Sequence, residues 1–322
     1  MPHQEFDRSR LKLEPLDARE HDMHIDEVMH IGDAYEKLED PNIGALADAI
    51  VTARDNGAQV IWSMGAHVIK QGLSRYVADF TRRGFVTHLA TNGACTIHDY
   101  ELSLTGATTE SVARYIQEGQ FGLWQETGNL NDIVAEGQAD GIGMGEAVGR
   151  AISEGDLPHA EQSVFAAAYE AGVPATVHIG IGYDITHEHP NCSGAALGEC
   201  SYRDFLIMTQ SVSELENGVF MNFGSAVMGP EVYLKALAMA RNVAQQEGRQ
   251  IRHFTTANFD LIPLPENYHD QPTKDNPQYY YRPWKTILVR TVADGGTSYY
   301  FQADHKSSIP TLHELVIKRW SK

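Results

Sequence analysis

The sequence predicts an α/β fold, a doubly wound, mostly parallel sheet with helices on both faces, and three observations carry that prediction. Between Gln59 and Gly106 the apolar period switches twice. Val60-Ile61-Trp62 forms a short run that ends at Ser63-Met64-Gly65. Val68, Ile69, Leu73, Tyr76, Val77 and Phe80 then recur at helical spacing as far as Gly84, and a second run, Phe85 to Ala90, ends at Thr91-Asn92-Gly93. The same alternation resumes after residue 174. The candidate strands are continuous apolar runs rather than alternating ones, as expected of strands covered on both faces.

The elements follow in order. Residues 1–24 are polar and rich in charge and histidine, and read as an arm; residues 25–322 read as one domain. Helical patterning begins at Ile25 and again at Ile43. After the strand-helix-strand unit come helices at Thr108 to Glu118, Asn129 to Ala139, Glu146 to Ser153 and Ser163 to Ala171, the last stopped by Gly172. Ala175 to Ile181 reads as a strand, Tyr202 to Leu215 as a helix and Val219 to Phe223 as a strand. Pro230 to Ala244 is a helix with proline in its first turn, and Arg252 to Ala257 a strand. Leu261 to Pro283, rich in Pro, Asn, Asp and Tyr, reads as a long ordered loop. Thr286 to Val292 and Ser298 to Gln302 flank Asp294-Gly295-Gly296, a hairpin signature, and a helix at Ile309 to Arg319 closes the domain.

The 322 residues, 42% of them hydrophobic, are enough for a sizeable core. A net charge of −18, from 43 acidic against 25 basic residues, leaves no electrostatic footprint for nucleic acid or an anionic membrane. Three cysteines, an odd count, argue against a disulfide framework and for a reducing compartment. The charged start has no signal-peptide core, and no run approaches the roughly 20 apolar residues of a membrane span, so a cytoplasmic protein is expected.

Four strand ends carry polar or glycine-rich residues: Ser63-Met64-Gly65-Ala66-His67, Thr91-Asn92-Gly93, Phe223-Gly224-Ser225-Ala226 and Thr256-Ala257-Asn258-Phe259-Asp260. In open α/β sheets ligands bind at that edge, and glycines let backbone approach them closely. The series Gly141, Gly143, Gly145 follows a helical pattern instead of a strand and reads as a helix–helix turn. His98, Asp99 and Glu101 combine a histidine with carboxylates at the start of a helix, a general acid–base set or ordinary helix-start acids. Asp184, His187, His189 and Cys192 share one loop and offer zinc-type ligands, although their spacing matches no closed structural pattern. Lys285, after Trp284, is a Schiff-base or charge-pairing candidate if buried and a solvated strand-start lysine if not.

These residues resemble a known family. Gly65-Ala66-His67-Val68-Ile69-Lys70-Gln71-Gly72-Leu73 followed by Thr91-Asn92-Gly93 is similar to the NAD-holding turns of deoxyhypusine synthase. Gly224-Ser225-Ala226-Val227, Thr256-Ala257-Asn258-Phe259-Asp260 and Ala303-Asp304 are similar to later elements of that family. The run Asn92-Gly93-Ala94 to His98-Asp99 to Glu101 also resembles related NAD-binding proteins attached to arginine and ornithine metabolism. Trp284-Lys285-Thr286-Ile287 can hold the family's catalytic lysine. If Arg282-Pro283 is aligned instead, that position falls near Arg290 or Thr291 and the lysine is absent. The family's histidine after Val227 and its serine-containing loop are replaced, by Met228-Gly229-Pro230 and by Gly182-Tyr183-Asp184-Ile185.

The resemblance implies a deoxyhypusine synthase-like fold, NAD as cofactor, and an enzyme oxidising an amine or amino-acid substrate to an imine before transfer, deamination or reduction. Gly65, His67, Thr91, Asn92, Gly93, Thr256, Ala257, Asp260 and Asp304 are the expected cofactor residues. His98, Asp99, Glu101, Asp184 and Lys285 are the expected catalytic ones. A homo-oligomer, dimer or tetramer, is implied as well. The rival readings are a metal-dependent hydrolase or lyase using His187, His189 and Cys192, and a nucleotide-binding protein without catalysis.

Overall fold

Six strands form one fully parallel sheet in the computed structural model, which describes residues 3–321. In chain order the elements are β1 (Met23–His24), α1 (Ile43–Asp55), β2 (Val60–Met64), α2 (His67–Lys70), α3 (Ser74–Arg82), β3 (His88–Asn92), α4 (Gly93–Thr105), β4 (Ala107–Thr108) and α5 (Val112–Glu118). There follow α6 (Asn129–Asp140), α7 (Met144–Glu154), α8 (Val164–Glu170), β5 (Ala175–His178), α9 (Gly194–Ser213), β6 (Val219–Phe223), α10 (Met228–Gln246), β7 (Thr255–Asp260), β8 (Thr297–Gln302) and α11 (His305–Trp320). The sheet order is β5-β3-β2-β6-β7-β8, and the short β1 and β4 pair separately. The order reverses between β2 and β6, where Val60 registers with Val219. Ligand crevices of doubly wound sheets open at such a reversal, outside the carboxyl ends of the strands.

Strand alternation divides the core. Val60, Trp62, Met64, Val219, Met221 and Phe223 face α1, α3 and α11, whereas Ile61, Ala90 and Phe220 face α9 and α10. On the first face Trp62, Phe223, Phe259 and Phe301 stack across four successive strands, with centroids 3.9, 4.3 and 4.7 Å apart. These rings bury a large apolar area and pin the register of β2, β6, β7 and β8.

The N-terminal segment is fastened to the body. Leu16 is buried against Tyr115 and Trp124, Met23 registers with Thr108, and Arg19 is 4% exposed. The helical pattern from Ile25 forms only a single turn, Ile25–Glu27, and three further expectations are corrected. Thr286 to Val292 is not a strand: Trp284–Arg290 winds as a π-helical turn, and β8 joins β7 in parallel, so there is no hairpin. A short apolar run has no period that separates strand from helix, and Pro283 starts a helical turn readily. The helix expected from Thr108 begins only at Val112, capped by Ser111, and α9 starts eight residues early, at Gly194 behind a Ser193 cap. The turn after α6 does join two helices, as its glycines predict.

Candidate functional site

A cleft of ≈ 620 Å³ opens at the carboxyl edge of the sheet, within the range of small-molecule and cofactor sites. One wall is the β2 end, with Gly65, His67 and Lys70. Another is the β3 end, with Asn92, Gly93 and His98, and β5 adds His178 and the loop through Tyr183 and Asp184. The β6–α10 turn, Gly224 to Met228, forms the last wall. A smaller pocket of ≈ 170 Å³ shares Lys70, His98, Tyr183 and Asp184 with the cleft and continues to Arg19, Glu101, Thr109 and Glu110. At about 30 Å³ per water it holds about six waters, so it suits a group of amino-acid size and not a nucleotide.

The two sides of the cleft differ in electrostatics. On the β6 side, Gly224 has φ +65° and His305 occupies the space a Cβ would need, so only glycine fits, and the Ser225 hydroxyl accepts from Gly229 N–H (2.8 Å) at the start of the long helix α10. Backbone and helix N-terminus there suit an anionic group. On the β3 side, Asn92 caps α4, and the Asp184 carboxylate lies over Gly93 so closely that any side chain at 93 would collide with it. Burial pushes the Asp184 acid up to about 6. That side suits a cation. Lys70 has no ion-pair or hydrogen-bond partner among the described residues, and it faces both cavities.

His98 is held by a directed chain. Arg19 grips Glu101 through both guanidinium nitrogens (3.0 and 2.6 Å), and Thr108 and Thr127 donate to the same carboxylate (both 2.6 Å). Burial alone would raise the Glu101 acid, but Arg19 outweighs it and holds the group below the usual carboxylate range. Because Thr108 gives its proton to Glu101, its oxygen accepts from His98 Nδ1–H (2.8 Å). The lone pair of His98 is therefore on Nε2. Burial lowers this imidazole to about 4, so it is neutral at pH 7 and can accept a proton.

Gly65, His67, Asn92, Gly93, His98 and Asp184 thus converge, as the strand ends predict. Other expected residues lie elsewhere. Thr91 is fully buried and donates to Thr176 O (3.1 Å), and Thr256 donates to Ile287 O (2.8 Å). Ala257 is buried within β7. Asp260 accepts from the Tyr281 hydroxyl (2.6 Å), and Asp304 caps α11. Asp99 accepts from Ser163 Oγ (2.5 Å), Val164 N and Phe165 N, so it caps α8 and does not reach the cleft. Glu101 lines the smaller pocket and holds His98 through the chain just described. Lys285 is 2% exposed, packed over the Tyr279 ring at 3.7 Å and outside both cavities. His187 Nδ1 accepts from Gly182 N and His189 Nε2 pairs with Gly122 O (2.8 Å). Among the described residues no three His, Cys, Asp or Glu side chains are grouped to hold a metal.

Lys70 and His178 were not singled out from the sequence. Lys70 stands one helical turn after His67, so the two share a face of α2, and His178 closes an apolar strand, the position that Asn92 occupies in β3. Both signals were present.

The family model described as "Arginine dihydrolase ArgZ-like, C-terminal, Rossmann fold" matches residues 44–154, about a third of the chain, a span that contains β2, β3, α4 and the Asn92 to Glu101 run. Three solved structures share the fold. AgrE in ternary complex with ornithine and NAD+ aligns at TM-score 0.53 with 14% identity, over 86% of this chain and 32% of its own. A putative LOR/SDH protein from Methanococcus maripaludis S2 aligns at 0.52 with 14% identity, over 92% and 73%. ArgZ, an arginine dihydrolase of the ornithine–ammonia cycle in cyanobacteria, aligns at 0.51 with 13% identity, over 86% and 32%. This chain therefore spans about a third of the length of ArgZ and AgrE. No match to a curated protein sequence was found. The class these findings define is a divergent Rossmann-like α/β protein.

Proposed function

We propose that the protein is an NAD-dependent enzyme acting on a small amino acid or amine. The observation that carries this reading is the division of one cleft into an anion-favouring turn, Gly224 to Met228, and a cation-favouring wall, Asp184 over Gly93. The AgrE structure, which holds ornithine and NAD+ in its complex, supports it. Gly65 and the Gly224–Met228 turn would hold the cofactor's phosphates, with His67 and Asn92 at its flank. When bound, NAD would supply a hydride acceptor for a carbon carrying an amine.

The remaining roles fall to the chain's own groups. Asp184 and Glu110 receive the ammonium group, and Lys70 receives a carboxylate. His98 Nε2 takes the proton that leaves the ammonium, while Arg19, Glu101 and Thr108 hold its ring in the right tautomer. Neither Lys285 nor the His187–His189 loop takes part.

Thermal unfolding tests the reading. NAD+ should stabilise the protein, by about 2.7 kcal/mol at 100 times its dissociation constant. L-Ornithine should add to that, and Lys70→Met should abolish the ornithine increment while keeping the NAD+ one. Absence of any NAD+ effect overturns the cofactor assignment. Binding of both ligands without reduction of NAD+ would favour the non-catalytic reading.

A further inference from the structure

An aromatic ring lies flat on backbone at the place where the two cavities meet. Tyr183 lines both the cleft and the smaller pocket, and it is 82% exposed. Its ring covers Gly180: a Cβ there would stand 2.4, 2.6 and 2.9 Å from Cε2, Cδ2 and Cζ of the tyrosine. Three neighbouring ring carbons at such similar distances are met from above the ring plane, because an edge-on approach would leave the third well beyond the first two. One face of Tyr183 therefore rests on Gly180, and only a glycine leaves room for it. The exposed surface is mainly the opposite face and the hydroxyl end.

The ring is carried by a fixed turn. Tyr183 N donates to Gly180 O (3.0 Å), and Gly182, at the third position, has φ +91°, as a type II turn requires. His187 Nδ1 accepts from Gly182 N (3.0 Å) and from Asp184 N (3.3 Å). These bonds tie down the residues on either side of Tyr183, so the ring is placed before any ligand arrives. A single exposed aromatic residue is ordinary. One seated flat on a glycine, on a pinned turn between two cavities, is a platform.

We propose that the open face of Tyr183 stacks on the nicotinamide ring of the cofactor. The inference rests on the proposed function, which puts the amine in the smaller pocket and the dinucleotide in the cleft. The ring that reacts must lie where those cavities join, beside His98 and Asp184, which also line both. Flat heteroaromatic rings gain from a tyrosine face, and a positively charged one gains more through the ring's quadrupole. The nicotinamide of NAD+ is such a cation and that of NADH is not, so Tyr183 favours the oxidised cofactor.

The test is calorimetry and ¹H NMR on the full chain, with NAD+, NADH, nicotinamide mononucleotide and AMP as separate probes. With the parent protein the nicotinamide protons should move upfield, as protons held over an aromatic face do. Tyr183→Ala, at an exposed position, should keep the parent's melting temperature, remove that displacement and weaken NAD+ about tenfold. NADH should weaken less and AMP not at all, and Tyr183→Phe should behave as the parent. Gly180→Ala should also weaken NAD+, by lifting the ring off its seat, yet cost nothing further when combined with Tyr183→Ala. Unchanged NAD+ affinity and proton positions in Tyr183→Ala would overturn the stacking role and leave the proposed function standing. Weakened AMP with unchanged nicotinamide mononucleotide would put adenine on the platform and overturn the assignment. Absence of NAD+ binding to the parent would overturn the proposed function and the stacking role together.

Discussion

Asp204 shows how much of this protein's polarity is structural. It is fully buried on α9, its Oδ2 accepts from Gly145 N (3.0 Å) and Val177 N (2.8 Å), and its Oδ1 has no partner. Those two bonds favour the carboxylate, but burial outweighs them and pushes the acid up to about 7. Between pH 4 and 7 the folded protein therefore holds a proton that the unfolded chain releases, so this group's stabilising effect falls as pH rises through that window. Asp99 and Asp184, both raised to about 6, act in the same direction. His88, His98 and His178, lowered to about 3, 4 and 4, act in the opposite one, because the unfolded chain protonates them below pH 6.5. Asp204→Asn should accordingly gain stability relative to the parent as pH increases from 4 to 8. Urea midpoints of the two proteins that stay parallel across that range would refute the buried-acid account. Asp99→Ala, by contrast, should cost about 1–3 kcal/mol by leaving the α8 donors unpaired, with NAD+ affinity unchanged.

At the scale of elements, the strand–helix alternation was legible because buried parallel strands and amphipathic helices carry different periods. Which side chain at a strand end faces the ligand was not, since one position along a strand reverses the face. Asn92 lines the cleft while its neighbour Thr91 is buried in the sheet, and Thr256 and Ala257, on opposite faces of β7, are both buried because the sheet is covered on both sides. Asp99 and Glu101 were readable as a charged cluster, but only the packing of α8 and the N-terminal segment shows that both are engaged. The π-helical turn at Trp284–Arg290 was illegible for another reason: its form depends on packing against β7 and β8, not on local pattern. Lys285, which it carries, stands between Tyr279 and the core. Lys285→Met should leave the thermal shifts with NAD+ and L-ornithine intact, and loss of either shift in a folded variant would return this lysine to the site.

For the whole molecule, fold and cleft were expected from the sequence, while the assembly rests on resemblance. No helix among the described residues is long and apolar enough to cross a membrane. Tyr183 and Val227, 82% and 63% exposed, rim the cleft mouth. Tyr268, Tyr281 and Trp284 turn inward, with the Trp284 indole donating to Tyr268 O (2.8 Å). A dimer closing over this rim is the expected state, measured by light scattering at micromolar concentration; a monomer would refute it. With a net charge of −18 on each chain, association should strengthen as salt is added.

The central pairing of β2 with β6 joins residues about 160 positions apart, Val60 beside Val219, and β8 and α11 complete the layer only after residue 296. During synthesis the first half of the sheet must therefore wait, its apolar faces uncovered, until the ribosome has delivered β6, β7 and β8. Contacts this remote in sequence make folding slow and leave the nascent chain open to aggregation. Stopped-flow refolding should show no submillisecond recovery of native tryptophan fluorescence, and chains released before residue 297 should be captured by chaperones rather than persist as folded half-sheets.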